Sequence, residues 1–177
     1  MKKVINFTIG IAAIILFASC SGIYSNDSFT WKKDSMVEGG IRAYAPDKYT
    51  IISNYPESEF ESGEWHLSED ISGMPVYSAP TVLEEAIFNL ALEEAIKAVE
   101  PDSTLRTGVN WGGVWTRDVS YSIVLGFSTL QTEASKKSLM RKVDRLGRII
   151  QDTGTGGSWP CSTDRQIWVM AAWEIYK

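Results

Sequence analysis

Residues able to do chemistry are concentrated in the segment 111–118, which reads Trp-Gly-Gly-Val-Trp-Thr-Arg-Asp. The ring of Trp115 could lie against the apolar face of a sugar, because aromatic side chains offer broad apolar surface. Arg117 provides a planar fork of donors and Asp118 two acceptor oxygens, so together they could hold two neighbouring hydroxyl groups. The segment therefore predicts a sugar pocket at a helix start. The alternative is a structural tryptophan beside a surface salt bridge, with Asp118 as a plain helix cap.

A second segment, residues 151–165, repeats the theme of glycines, a tryptophan and an Asp–Arg pair. Its glycines could suggest a phosphate cradle, but the Lys-Ser/Thr ending of a P-loop is missing and no buried strand clearly precedes them. Glycines next to Trp159 more readily let the backbone pass close to a ligand or another loop. We therefore expect Trp159, Asp164 and Arg165 to contribute to the sugar site. A structural salt bridge between Asp164 and Arg165 is the alternative.

Helical patterns begin at residue 81 and alternate with these loops. Thr81 and Glu84 have the capping-box spacing, and Pro101 ends the helix that follows. Three further helices are predicted, over about Asp118–Leu130, over Glu133–Leu146 with Gly147 as its left-handed cap, and from Thr163 onward. Four glutamates of the first helix are expected on a solvated face rather than as a catalytic pair: Glu84, Glu85, Glu93 and Glu94.

The region before the helices, residues 31–77, carries a turn signal every few positions, such as Gly39-Gly40 and Pro46-Asp47. Short strands are predicted between these signals, at Ile41–Tyr44 and Tyr49–Ile52. We interpret the region as a small β-rich and irregular segment that packs against the helices. A long leader without a fold of its own is the alternative that the sequence leaves open.

The N terminus has the pattern of a lipoprotein signal. A basic start and the apolar run Ile9–Phe17 precede Ala18-Ser19-Cys20. The run is too short for a membrane-spanning helix, which needs roughly 20 residues. We predict a signal peptide over residues 1–19, lipidation of Cys20 and a tether over residues 20–30, with an ordinary signal peptide as the alternative. The protein would then be a membrane-anchored lipoprotein of a Gram-negative-type bacterium, periplasmic or surface-facing.

The charge balance argues against several classes of partner. The 177 residues carry 17 Lys and Arg against 22 Asp and Glu. Loss of residues 1–19 would remove Lys2 and Lys3, leaving 15 against 22 and a net charge near −7. An acidic chain without a basic run is a poor nucleic-acid binder. One His, and a Cys161 left alone once Cys20 is lipidated, argue against a zinc site and a disulfide, so no metal or cofactor is expected.

The segments 111–122, 151–160 and 162–165 together resemble the six-hairpin glycosidases, which are (α/α)6-toroid enzymes, and in particular their bacterial lipoprotein members. The quartet 115–118 is also similar to one in glucoamylase-type enzymes, whose Arg and Asp hold hydroxyls of the terminal sugar. The resemblance covers about residues 74–177. It implies a mainly α fold, namely a partial (α/α)6 toroid of about two helical hairpins over residues 78–177, after the β-rich segment.

A complete toroid needs more helices than the four predicted here, so the resemblance implies the N-terminal portion of a glycoside hydrolase acting on an oligo- or polysaccharide. Its catalytic acid and base are expected on later hairpins, so the catalytic residues are unknown and activity of this chain alone stays open. The expected partners are a carbohydrate, a membrane through the lipid anchor, and the rest of the toroid. The implied substrate-binding residues are Trp111, Trp115, Arg117, Asp118, Trp159, Asp164 and Arg165. The alternatives are a carbohydrate-binding lipoprotein without catalysis and a structural helical lipoprotein.

Overall fold

The computed structural model describes residues 35–56, 63–152 and 163–177, together with the backbone of residues 24–25 and 29–32. The predicted signal peptide, Cys20 and Trp159 lie outside the described residues. The chain divides into two compact units. The first holds the sheet and extends to Leu90, and the second holds Glu69–Met74 and Ala91–Lys177.

The first unit is built on an antiparallel sheet whose strands follow one another in chain order. Its strands are β1 (Tyr24–Ser25), β2 (Phe29–Lys32), β3 (Ser35–Glu38), β4 (Ile41–Asp47), β5 (Thr50–Ser53) and β6 (Glu64–His66). Side chains are described for the four strands β3 to β6. Gly39 and Gly40 both have positive φ, at 54° and 85°, as a two-residue hairpin between β3 and β4 requires. The two strands predicted for this region are confirmed as β4 and β5, with longer or shifted ends.

A small core fixes the sheet to the start of the first helix. Ala45 of β4 is buried together with Leu83 and Ala86, and the side chains of Met36, Ile51, Trp65 and Val82 pack around them. The helix begins next to Thr81, whose hydroxyl donates to Glu84 Oε2 at 2.6 Å and accepts the Glu84 N–H at 3.2 Å. The predicted helix start is therefore confirmed, and it lies where the apolar face of the helix meets the sheet.

Four helical segments follow the sheet. They are α1 (Val82–Lys97), α2 (Thr116–Ser122) continued by a π-helical turn (Ile123–Phe127) and α3 (Ser128–Leu130), then α4 (Thr132–Arg141) and α5 (Asp164–Tyr176). In the second unit, the buried residues Leu105, Val119, Ile123, Leu139 and Ala171 form one core. No helix among the described residues is both long and apolar enough to cross a membrane.

The predicted fold class is wrong. The structure has an α/β arrangement, in which an antiparallel sheet is followed by four helical segments, and it is not a toroid. The prediction gave too little weight to the region before residue 78. The strands of this region pair into one continuous sheet. Ala45 of that sheet is buried in a core with Leu83 and Ala86.

Two helix boundaries also differ from the prediction. Helix α4 ends at Arg141, because the chain turns back and Val143 pairs with Ile149 in an isolated antiparallel bridge. Leu146, the last residue of the predicted helix, is 76% exposed as a result. Gly147 does adopt positive φ (75°), but it does so in this turn and not as a helix cap.

The prediction that all four glutamates of α1 lie on a solvated face is wrong for Glu93. It is fully buried. Lys97 Nζ lies 3.2 Å from Glu93 Oε1, and the Glu69 N–H donates to the same oxygen at 3.0 Å. Burial of the carboxylate is tolerated because a cation and a backbone donor compensate the lost hydration.

Replacing Thr81 with Ala is expected to lower the free energy of unfolding by about 1 kcal/mol, because the Glu84 N–H loses its capping acceptor. Urea denaturation followed by circular dichroism measures this loss. Thr81→Ser keeps the hydroxyl and should retain most of the stability. Equal stability of the Ala and Ser variants would show that the cap contributes nothing.

Candidate functional site

The start of helix α2 is held from outside the helix. Trp115 occupies the N-cap position with extended backbone (φ −103°, ψ 126°), and its side chain makes no capping hydrogen bond. The Thr116 N–H donates instead to the Asp152 carboxylate, and the Thr116 hydroxyl donates to the Ile150 carbonyl at 2.8 Å. The helix therefore begins at Thr116 rather than near Asp118 as predicted, because segment 150–152 supplies the acceptors.

Asp152 joins three parts of the second unit. Besides accepting the Thr116 N–H, its carboxylate lies 2.6 Å from Lys142 Nζ, and both side chains are largely buried. Its own N–H donates to Asp164 Oδ2 at 3.0 Å. Sequence reasoning did not single out Asp152 as a positioning residue. The available signal was indirect: Trp115 cannot cap the helix, so the first N–H groups of α2 need an acceptor from elsewhere.

The loop before α2 is fixed by its own hydrogen bonds. Gly108 and Trp111 exchange backbone hydrogen bonds at 3.1 and 3.0 Å, and Arg106 donates to the Gly108 and Val109 carbonyls at 3.0 and 2.7 Å. The Thr107 hydroxyl donates to the Gly113 carbonyl at 3.2 Å. These contacts hold the glycine-rich stretch between the two tryptophans in a defined path.

A cavity of about 240 Å³ lies between this loop and α2, lined by Thr107, Trp111, Trp115, Arg117 and Asp118. The rings of Trp111 and Trp115 meet edge to face, with centroids 5.9 Å apart and planes at 86°. Trp111 is 60% exposed. The structure therefore brings four of the predicted substrate-binding residues to one cavity.

The two charged groups of this cavity differ from the other residues that line it. Among the described residues, the Arg117 guanidinium and the Asp118 carboxylate have no ion-pair or hydrogen-bond partner, not even each other. Asp118 lies in the first turn of α2 and does not cap it. The alternative of a surface salt bridge beside an Asp118 cap is thus wrong, and both groups can bind a ligand.

The remaining predicted site residues behave differently. Asp164 begins α5, is 1% exposed and accepts the backbone N–H of Asp152, so its environment is that of a structural group. Arg165 is exposed and forms no ion pair with any residue the structure describes. The predicted alternative, a salt bridge between these two neighbours, is not present.

A second cavity, of about 360 Å³, is lined by Glu100, Pro101, Asp102, Thr104, Gly113 and Arg141. Arg141 pairs with Asp102, and Arg106 Nε lies 3.5 Å from Glu100 Oε1. The Thr104 hydroxyl and N–H donate to Asp102 at 2.6 and 3.0 Å and lower the pKa of its carboxyl. This carboxylate is therefore ionised at neutral pH, and its stabilising contribution is lost only as the pH falls through the lowered pKa.

The turns after α1 and α4 share one hydrogen-bond pattern. Val99 pairs with Leu105 as Val143 pairs with Ile149, and each turn has a residue with positive φ, Ser103 in one and Gly147 in the other. In the second turn, backbone and side-chain hydrogen bonds from Arg148 lower the pKa of Asp144. These two turns precede the segments 111–118 and 151–165, and they were not predicted from the sequence.

A third cavity, of about 680 Å³, lies on the sheet and is lined mainly by apolar groups, including Met36, Ile41, Ala43 and Tyr55. It is larger than the cavity at α2, but it contains none of the predicted site residues and few groups able to do chemistry. No group of His, Cys, Asp and Glu suited to a metal ion occurs in the part of the chain that the structure describes.

Comparison of the chain with protein-family models, with curated proteins and with solved structures finds no match. The family resemblance of the two loops therefore stays a prediction.

Proposed function

We propose that the cavity at the start of α2 binds a carbohydrate, in a protein that acts on an oligo- or polysaccharide as glycoside hydrolases do. The observation that carries the proposal is the combination, in one cavity, of an exposed tryptophan pair with an unengaged Arg117 and Asp118.

A sugar ring has apolar faces formed by its C–H groups and a rim of hydroxyl groups. Trp111 and Trp115, set at right angles, provide one ring face and one ring edge for contact with such a face. Because Trp111 is mostly exposed, a sugar that covers it would bury apolar surface. The tryptophan pair therefore supplies affinity and a preferred orientation of the ring.

The two charges favour a neutral ligand rich in hydroxyl groups. The Arg117 guanidinium can only donate hydrogen bonds and the Asp118 carboxylate can only accept them, whereas each sugar hydroxyl does both. The charges are opposite and adjacent in the chain, so neither an anion nor a cation would be attracted without also meeting a like charge. Neighbouring hydroxyls satisfy both groups, each through a charge-assisted hydrogen bond.

In this proposal Asp118 holds the sugar and does not break the glycosidic bond. Hydrolysis requires two carboxyl groups placed on either side of that bond, and we assign neither to a residue. We also propose where the protein acts. Lipidation of Cys20 would tether the protein to a membrane, with the site facing polysaccharide outside the cytoplasm.

Titration with glucose, mannose and galactose, followed by intrinsic tryptophan fluorescence, tests the proposal. At least one sugar should give a saturable change, and Trp115→Ala should weaken its affinity about fivefold to tenfold, because a contacting ring is lost. Trp173→Ala is the control, because it removes a different tryptophan ring (58% exposed) that lies on α5 and does not line this cavity. The absence of a saturable response to all three sugars would contradict carbohydrate binding at this cavity.

A further inference from the structure

The cavity at α2 and the cavity that contains Asp102 are neighbours across a single stretch of backbone. Gly113 lines the second cavity, and its carbonyl accepts a hydrogen bond from Thr107, which lines the first. The stretch continues into Trp115, whose N–H donates to the same Thr107 hydroxyl at 3.3 Å. One segment of loop is thus the common wall of both cavities.

No side chain rises from the middle of this wall. Gly112 and Gly113 occupy it, and a Cβ at Gly113 would meet nothing within 4 Å. Gly113 has positive φ (79°), a conformation that other residues adopt only with strain. A Cβ at Gly112 would lie 3.9 Å from Glu100 Oε1 and so point at a residue of the second cavity. Gly112 and Gly113 therefore contribute no side chain to this stretch of loop.

The second cavity offers hydrogen-bonding groups of both kinds. Arg141 is 58% exposed and can donate, while Asp102 (49% exposed) and Glu100 (27% exposed) can accept. Asp102 is held in place by Thr104, which is itself 3% exposed. The cavity therefore presents fixed and solvent-accessible polar groups but no aromatic ring, unlike the cavity at α2.

We propose that the second cavity is a second sugar subsite, so that the ligand is an oligosaccharide with one unit against the tryptophan pair and the next beside Asp102 and Arg141. This inference rests on the proposed carbohydrate binding and extends it to the chain length of the ligand. The unit at the tryptophans contributes ring contact, and the unit in the second cavity contributes hydrogen bonds to its hydroxyls.

Isothermal titration of the full chain with glucose, with mannose, and with their linear oligosaccharides of two to five units tests this inference. In the series that binds, the disaccharide should bind about tenfold or more tightly than the monosaccharide, with little further gain from longer chains. Asp102→Asn and Arg141→Met should each remove most of that gain and leave monosaccharide affinity unchanged. Asp102→Asn keeps an oxygen to accept the Thr104 N–H, so the turn is retained.

Two further variants separate the subsite from general effects on charge or folding. Gly112→Leu would place a side chain against Glu100, and should also remove the gain from the second sugar unit. Asp144→Asn and Arg148→Met disrupt an ion pair of the other turn, whose residues line neither cavity, and should leave the gain intact.

Equal affinity for mono- and disaccharides in a series that binds would overturn the second subsite and leave carbohydrate binding standing. A gain that survives Asp102→Asn, Arg141→Met and Gly112→Leu would likewise overturn it, because the second unit would then lie elsewhere. Absence of binding in both series would overturn the subsite together with the proposed function.

Discussion

Replacing Asp118 with Ala is expected to lower the affinity for the bound sugar about 10- to 100-fold. A hydrogen bond to a charged group contributes about 1.5–3 kcal/mol, and each 1.4 kcal/mol corresponds to about a tenfold change. The Asp118 carboxylate has no partner among the described residues, so its whole hydrogen-bonding capacity is available to the ligand. The measurement is isothermal titration of the wild type and the variant with the tightest-binding sugar.

The same substitution should leave the fold almost unchanged, which makes the result specific. Asp118 is exposed and caps nothing, so the free energy of unfolding should change by less than about 0.5 kcal/mol. Glu133→Ala is the matched control, since it removes another exposed carboxylate from the first turn of a helix, α4. Unchanged sugar affinity in Asp118→Ala, or an equal loss in Glu133→Ala, would show that Asp118 does not contact the ligand.

Replacing Asp152 with Ala is expected to lower the free energy of unfolding by about 2–4 kcal/mol. The Lys142 and Asp152 side chains are only 15% and 17% exposed, so the substitution would leave a largely buried lysine without its carboxylate. The Thr116 N–H would lose its acceptor at the same time, a loss of about 1 kcal/mol for a typical cap. Denaturation in urea measures the change.

A double variant tests the cause of this loss. Adding Lys142→Met to Asp152→Ala removes the unpaired charge, so the double variant should be more stable than Asp152→Ala alone. Because Asp152 holds the helix start that carries the pocket, Asp152→Ala should also weaken sugar binding under conditions where it is folded. A loss below about 0.5 kcal/mol would contradict a role for Asp152 in positioning α2.

Local patterns in the sequence predicted the features that depend on neighbours in the chain. The capping residues Thr81 and Glu84 satisfy each other within one helical turn, and Gly39-Gly40 closes a hairpin of adjacent strands. The pocket residues were also predictable, because Trp115, Arg117 and Asp118 are almost contiguous and Trp111 is one short loop away. Their closeness in the chain made a shared site predictable, although the distant Asp152 fixes the start of the helix that carries them.

Features that depend on distant partners were missed. The start of α2 is set by Asp152, and the buried Glu93 accepts a hydrogen bond from the distant Glu69 N–H. The extent of the sheet depends on pairing between successive hairpins. A turn signal in the sequence indicates a single hairpin and not whether that hairpin pairs with the next one. The toroid prediction failed for this reason: it extrapolated from two loops to a whole architecture, whereas the loops specify only their own surroundings.

Carbohydrate binding against Trp111 and Trp115 is tested most directly by nuclear magnetic resonance of the tryptophan indole N–H groups during sugar titration. The chain has seven tryptophans, so the wild type contains its own controls. We predict that the indole signals of Trp111 and Trp115 shift with a common saturation curve, while those of Trp168 and Trp173 on α5 do not move. Shifts confined to tryptophans other than Trp111 and Trp115, or no shift at any sugar concentration, would contradict the proposed site.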